Sequence, residues 1–112
     1  MRIFIAFFIL FSTLNFSQTG KASWYGESWD GRKTANGEIF DSSKHTCASN
    51  SIKLGTKIQV TNIDNNKSVI CRVNDTGGFG KYGRVLDMSK GAFKTIGDLK
   101  KGVINVKITI IK

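Results

Sequence analysis

The residues of this chain best suited to chemistry are acids set beside turns. An apolar strand ending at Val73-Asn74 runs into Asp75-Thr76-Gly77-Gly78-Phe79-Gly80, which stands a carboxyl at a strand terminus against a glycine-rich loop. Glycines let a ligand approach the backbone closely, and functional residues gather on loops held by a rigid scaffold. The same segment also reads as a plain turn in which Asp75 caps local N–H groups. A second cluster, Thr34-Ala35-Asn36-Gly37-Glu38-Ile39-Phe40-Asp41, joins a turn to two carboxylates three residues apart, Glu38 and Asp41. An acid with a second charged group beside it suits cleavage of a glycosidic bond, although surface acids beside a turn have the same composition. Trp24, Tyr25, Trp29, Phe40, Phe79 and Tyr82 flank these segments, and their faces suit sugar rings or core packing alike.

Other chemistries find little support. One histidine, His45, and two cysteines without C-x-x-C spacing do not make a zinc site, so no metal is expected. The chain has no Gly-Lys phosphate loop, dinucleotide fingerprint or Gly-x-Ser-x-Gly elbow, and no cofactor is expected.

The scaffold for these acids must come from 112 residues, one domain at most. Arg2 is followed by the uncharged run from Ile3 to Phe11, then Ser12, Thr13 and Asn15, with small Ser17 ahead of Gln18. Residues 1–17 therefore read as a signal peptide, since the run falls short of the about 20 residues of a membrane span. The expected mature chain, 18–112, is exported to the periplasm or the cell exterior. It is expected to carry no membrane anchor, because neither Cys47 nor Cys71 stands at the cleavage site. Loss of Arg2 leaves 16 basic against 8 acidic residues, a balance of +8. Export argues against nucleic acid as the partner. Anionic envelope polymers fit such a charge better through long-range steering, while a basic surface equally serves solubility. In an oxidising compartment Cys47 and Cys71 either form a bridge, closing a loop of about 25 residues for roughly 3 kcal/mol, or remain two buried thiols.

The periodicity along 57–110 is two. Ile58 and Val60, then Val69, Cys71 and Val73, then Ile104, Val106, Ile108 and Ile110 mark half-buried strands. Asp64-Asn65-Asn66 between the first two suits a hairpin. Lys21–Tyr25, His45–Ala48 and Arg84–Met88 add further strands. Ser89 can cap a short helix through Ala92, Phe93 and Ile96, with Gly97 suited to the position after its end. About six strands and one or two short helices in so short a chain suggest a small barrel.

The ordered set Gly20-Lys21-Ala22-Ser23-Trp24-Tyr25-Gly26, Thr34 to Asp41, Leu54-Gly55-Thr56, Val60-Thr61-Asn62, Arg72-Val73-Asn74-Asp75 and Gly83-Arg84-Val85-Leu86-Asp87-Met88-Ser89 resembles the rare lipoprotein A (RlpA) family. The likeness covers nearly all of 20–112. It implies an all-β fold, a six-stranded double-psi β-barrel shared with expansins. It also implies an endolytic lytic transglycosylase that cuts peptidoglycan glycan strands, preferring those stripped of peptide stems. The stretch from Leu86 onward is similar to the expansin barrel as well, whose members loosen polysaccharide without hydrolysis.

Carried over by position, Asp75 matches the essential acid of the family, Glu38 and Asp41 match acids of the same groove, and Asp87 matches an acid of expansin-like barrels. Two segments depart. The family's Thr-Ala-Ala-His reads Thr46-Cys47-Ala48-Ser49, which puts Ser49 in the place of a groove histidine, and Asp-Arg-Gly-Pro-Phe reads Asp75-Thr76-Gly77-Gly78-Phe79.

The mechanism so implied has protonated Asp75 give its proton to the glycosidic oxygen and, as carboxylate, take one from the C6 hydroxyl, which closes a 1,6-anhydro ring. Glu38 is expected to be the neighbouring carboxylate that raises the pKa of Asp75, to stabilise the oxocarbenium-like centre, or to bind sugar hydroxyls. Trp24, Tyr25, Asp41, Ser49, Phe79 and Asp87 are expected to line the groove, with Ser49 orienting groups through its hydroxyl. Arg72 and Arg84 are expected to meet a lactyl carboxylate. The expected partner is the glycan strand, bound by a monomer.

Overall fold

Alternating burial along each strand is what turns this chain into a barrel. The computed structural model describes residues 17–77 and 83–111; the signal peptide read at the N-terminus lies outside them except for Ser17, and so do Phe79 and Tyr82. Six strands are present among the described residues: β1 (Ser17–Tyr25), β2 (Thr46–Ala48), β3 (Lys57–Asn62), β4 (Ser68–Asp75), β5 (Arg84–Ser89) and β6 (Val103–Ile110). Ile58 and Val60 of β3, Val69, Cys71 and Val73 of β4, and Ile104, Val106 and Ile108 of β6 all point into one core, in the phases expected from the sequence. Ser17, read as the last residue of the leader, opens β1 and pairs with Thr109 of β6.

The strands close in the order β1-β5-β2-β4-β3-β6. Each has a neighbour on both sides, so the sheet has no open edge to template association. Two pairs, β1 with β5 and β2 with β4, are parallel, and the other four are antiparallel. The β3–β4 hairpin turns through Asn66, whose φ of 63° is the left-handed conformation that asparagine tolerates. It is also pinned to the helix, because Asn62 Nδ2 and Asn65 Nδ2 both donate to the Ile96 carbonyl at 2.8 and 2.9 Å.

Helix α1 (Lys90–Ile96) packs Ala92, Phe93 and Ile96 into the barrel. Ser89 caps it as expected, accepting from Ala92 N at 3.2 Å, and its hydroxyl also donates to the Lys44 carbonyl at 2.5 Å. Gly97 ends the helix for a reason of space. Its backbone is extended, with φ −153°, and a side chain there would press on Ile104 Cδ1 at 3.3 Å. Gly91 is tighter still, since a Cβ would meet the Ser43 carbonyl oxygen at 2.6 Å. Gly91→Ala is therefore expected to destabilise the fold by about 1–3 kcal/mol, the usual cost of overpacking, read as a lower urea midpoint.

Cys47 and Cys71 form no bridge; both are free and buried. Register explains this. Across the parallel β2–β4 pair Cys47 lies opposite Val73 rather than Cys71, which leaves the two cysteines diagonal to one another, both turned into the core. Burial pushes the Cys47 thiol well above its ordinary range, so it is a poor nucleophile. Neither thiol is expected to react with a thiol reagent in the native protein, and both to react in denaturant; two unreactive cysteines in denaturant would mean a bridge after all.

Candidate functional site

Where β1, β2 and β4 end, the barrel opens into a cavity of about 270 Å³. Its floor is set by strand register. Ala48 of β2 pairs with Asp75 of β4 on one side and with Asp87 of β5 on the other. An irregularity between Cys47 and Ala48 skips Asn74, bringing Asp75 opposite Ala48 directly after the Cys47–Val73 pair. Such a bulge re-aims the side chains that follow it. Two acids 12 positions apart in sequence thereby line one cavity across a single alanine, together with Tyr25, Trp29 and Arg84.

Each acid is held differently. Asp75 Oδ1 accepts from the backbone N–H groups of Ala35 and Thr76, both at 2.9 Å. Asp87 Oδ1 accepts from Ser23 Oγ at 2.9 Å, and that hydroxyl accepts from Arg84 Nη1 at 3.0 Å. Burial holds the Asp87 carboxyl above the usual carboxylate range, and the charge of Asp75 pushes the same way against the hydrogen bond from Ser23 and the charge of Arg84.

Tyr25 brings a hydroxyl that is buried without a hydrogen-bond partner. Burial raises its pKa, and the charges of Asp75 and Asp87 raise it further, so it stays a proton-bearing donor. Its ring stacks on Phe40 at 4.7 Å and meets Trp29 edge-on at 6.3 Å. Trp29 is 47% exposed and carries Arg32 over its face at 5.0 Å. The result is an aromatic shelf at the rim.

Several sequence expectations find other places. Glu38 is not the carboxylate beside Asp75; Asp87 is. Glu38 is clamped by Arg72 through two hydrogen bonds, that from Nη2 being 2.9 Å. It also accepts from Asn36 Nδ2 at 2.9 Å and Asn74 Nδ2 at 3.2 Å. These bonds, Arg72 first, hold its carboxyl down to about 2. Arg72 is thus occupied by an internal acid instead of being offered to a lactyl carboxylate. The pair anchors the Thr34–Glu38 turn, closed by Thr34 N to Glu38 O at 2.8 Å, whose Ala35 N–H holds Asp75. Because the folded pKa of Glu38 lies below its ordinary 4.5, the stability it adds is full above that value and is lost as pH falls toward 2. For this half-exposed pair the gain is about 1 kcal/mol or less. Glu38→Gln is expected to lower the urea midpoint slightly at pH 7, and the gap to close by about pH 2.

Ser49 does not orient the acid through its hydroxyl. Its Oγ accepts from Ser51 N and Ile52 N at 3.1 and 3.0 Å, a buried turn cap, and only its backbone N–H reaches the Asp75 carbonyl, at 3.0 Å. Trp24 belongs to the core wall. Its ring lies 6.3 Å from Phe93, and its Nε1 donates to the Leu99 carbonyl at 3.1 Å. Asp41 is exposed and held below the usual carboxylate range by the Ser43 hydroxyl and N–H. It lines a second cavity with Glu38 and Arg72.

Sequence reading missed Ser23 as the partner of Asp87, and it missed Asn50. The side-chain amide of Asn50 donates to Gly77 O at 2.6 Å and accepts from Gly77 N at 3.0 Å, tying down the loop after Asp75. The Ser23–Asp87 contact follows from parallel pairing of β1 with β5. No local pattern announces it.

Residues 17–108 match the family described as lytic transglycolase. The chain belongs to that family. Among its relatives, the "Probable endolytic peptidoglycan transglycosylase RlpA" of Synechocystis sp. is 44% identical over 101 residues, covering 90% of this chain and 31% of the relative. The "Endolytic peptidoglycan transglycosylase RlpA" of Vibrio cholerae is 44% identical over 96 residues, covering 86% and 36%. The chain thus spans about a third of the length of these relatives. Among solved structures, Streptomyces papain inhibitor matches with a TM-score of 0.71 at 22% identity, covering 87% of this chain and 96% of the other. A variant of Clavibacter michiganensis expansin in complex with cellohexaose matches at 0.70 and 20% identity, covering 87% and 51%. At such identities the likeness is one of fold, and it agrees with the double-psi β-barrel implied by the sequence motifs.

Proposed function

We propose that this chain is an exported endolytic lytic transglycosylase that cuts peptidoglycan glycan strands in the periplasm or at the cell exterior, leaving 1,6-anhydromuramic ends. The observation that carries the reading is the meeting of Asp75 and Asp87 across Ala48 in one cavity. The names of the 44%-identical relatives support the reaction and the substrate.

In this mechanism the proton sits on Asp87, the acid raised by burial. Asp87 gives it to the glycosidic oxygen, and the bond from that oxygen to C1 breaks. Asp75, held by two backbone N–H groups, faces the positive charge that develops at C1. The C6 hydroxyl then attacks C1 while its proton passes to the Asp87 carboxylate. That step closes the anhydro ring and returns Asp87 to its starting state without water. Relative to the sequence expectation, Asp87, expected only to line the groove, takes the acid–base role given there to Asp75, Asp75 takes the stabilising role given to Glu38, and Glu38 becomes the positioning residue that fixes the turn over Asp75. Trp29 offers its exposed face to a ring.

The test is incubation of the purified protein with intact and peptide-stripped peptidoglycan, followed by mass spectrometry. Fragment ends one water lighter than hydrolysis products are expected, in greater yield from stripped strands. Hydrolysed ends would make the site a hydrolase. Glycan retained but uncut would make it a binding module of the expansin kind.

A further inference from the structure

The segment that follows Asp75 departs from the family pattern where that pattern is stiffest. In place of Asp-Arg-Gly-Pro-Phe it reads Asp75-Thr76-Gly77-Gly78-Phe79. A proline fixes its own φ at about −65° and confines the residue before it to extended backbone, whereas a glycine gives up more conformational freedom on ordering than any other residue. The exchange leaves the chain after Asp75 free to wander unless something else restrains it.

That restraint comes from Asn50. Parallel pairing of β2 with β4 ends at Ala48 and Asp75, followed by one more main-chain bond from Ser49 N to Asp75 O at 3.0 Å. Beyond it a side chain takes over from main chain. Asn50 Nδ2 donates to Gly77 O at 2.6 Å, and Asn50 Oδ1 accepts from Gly77 N at 3.0 Å, the exchange of both bonds that a residue pair makes in an antiparallel ladder. A side-chain amide suits this because it carries donor and acceptor on separate atoms of one plane; a carboxylate has no donor. Thr76 is thereby bracketed, with Asp75 O held on one side and the N–H and C=O of Gly77 on the other.

The bracketed residue matters to the site. Thr76 N–H is one of the two groups that hold Asp75 Oδ1, at 2.9 Å. Asn50 itself is exposed and is not a lining residue of the cavity, so its reach to the acid runs through the loop.

We propose that Asn50 is a positioning residue for Asp75: it pins Gly77 so that the Thr76 N–H stays on the carboxylate, supplying the restraint that proline gives in the family pattern. Its part in catalysis rests on the function proposed above; the restraint itself rests on the two hydrogen bonds to Gly77.

The test uses Asn50→Ala, Gly78→Pro and the two combined. Backbone order parameters from nitrogen-15 relaxation read the loop, and kcat and KM on peptide-stripped peptidoglycan read the site. Thr76 and Gly77 are expected near the rigid value of about 0.85 in the wild type and below about 0.6 in Asn50→Ala. kcat is expected to fall about tenfold in Asn50→Ala with KM unchanged, less than for loss of the Asp75 charge itself, because the acid is present but poorly held. The melting temperature is expected to move little, as for other exposed positions. Gly78→Pro is expected to behave as wild type alone and to restore both order and kcat in the combined variant. Order parameters or kcat unchanged in Asn50→Ala, or no recovery with proline at 78, would each overturn the proposal. So would a raised KM at constant kcat, which would make Asn50 a substrate contact. A loop that loosens in Asn50→Ala and stiffens again with proline, in a protein that forms no anhydro ends in any variant or in the wild type, sinks the transglycosylase and leaves the restraint standing. Equal cleavage by wild type and Asn50→Ala sinks the role of Asn50 alone.

Discussion

Asp87→Asn is expected to slow formation of anhydro ends by about 10²–10⁴-fold, the range for loss of a positioned general acid, and at the same time to raise the melting temperature. The second half follows from linkage. The folded pKa of Asp87 lies above its ordinary 3.8, so folding favours the neutral form. The wild-type protein therefore loses stability as pH rises from that value through the folded pKa, because burying the charged form is costly. Asparagine carries no charge at any pH and can still accept from Ser23. The melting temperature of the variant is expected to exceed that of the wild type at pH 7 and above, with the gap closing below about pH 4. A variant that is inactive and also less stable at pH 7 would remove Asp87 from the role of buried acid.

Asp75→Asn is expected to cost about 10²–10³-fold, as for removal of one electrostatic stabiliser of a developing charge. Its stability signature differs from that of Asp87→Asn. The amide introduced by this substitution keeps an oxygen to accept from the N–H groups of Ala35 and Thr76, so the melting temperature is expected to move little. Its kinetic signature is more telling. The negative charge of Asp75 helps to keep the Asp87 proton in place. Removing that charge is expected to shift the alkaline limb of the pH–rate profile of the residual activity to lower pH. An alkaline limb that stays in place would mean that the two acids do not act as a pair.

The contrast between these variants shows how far local sequence reaches. The strands around Ile58, Val69 and Ile104 were legible because burial on one face writes itself as a period of two, and α1 because Ser89 is a good cap. Asp75 stood out beside its glycines, and Asp87 through a motif. Their meeting was not legible. It depends on a short central strand, β2, that pairs with partners from two distant segments, and on one irregular step at Ala48. The roles of Glu38, Ser49 and Trp24 were misplaced for a related reason. An acid, a hydroxyl and an indole look the same in sequence whether they face a ligand or are spent on Arg72, a buried turn and the Leu99 carbonyl. The cysteines posed a question of register that spacing along the chain does not answer.

Asp75 is gripped by main-chain N–H groups at positions 35 and 76, and such a grip is blind to side-chain identity. Substitutions at either position can accumulate without loosening the carboxylate, and proline, which has no N–H to give, is the exception at both. The site can therefore be inherited through neighbours that themselves drift, and variation among related chains at 35 and 76 carries little information about whether the acid between them still works.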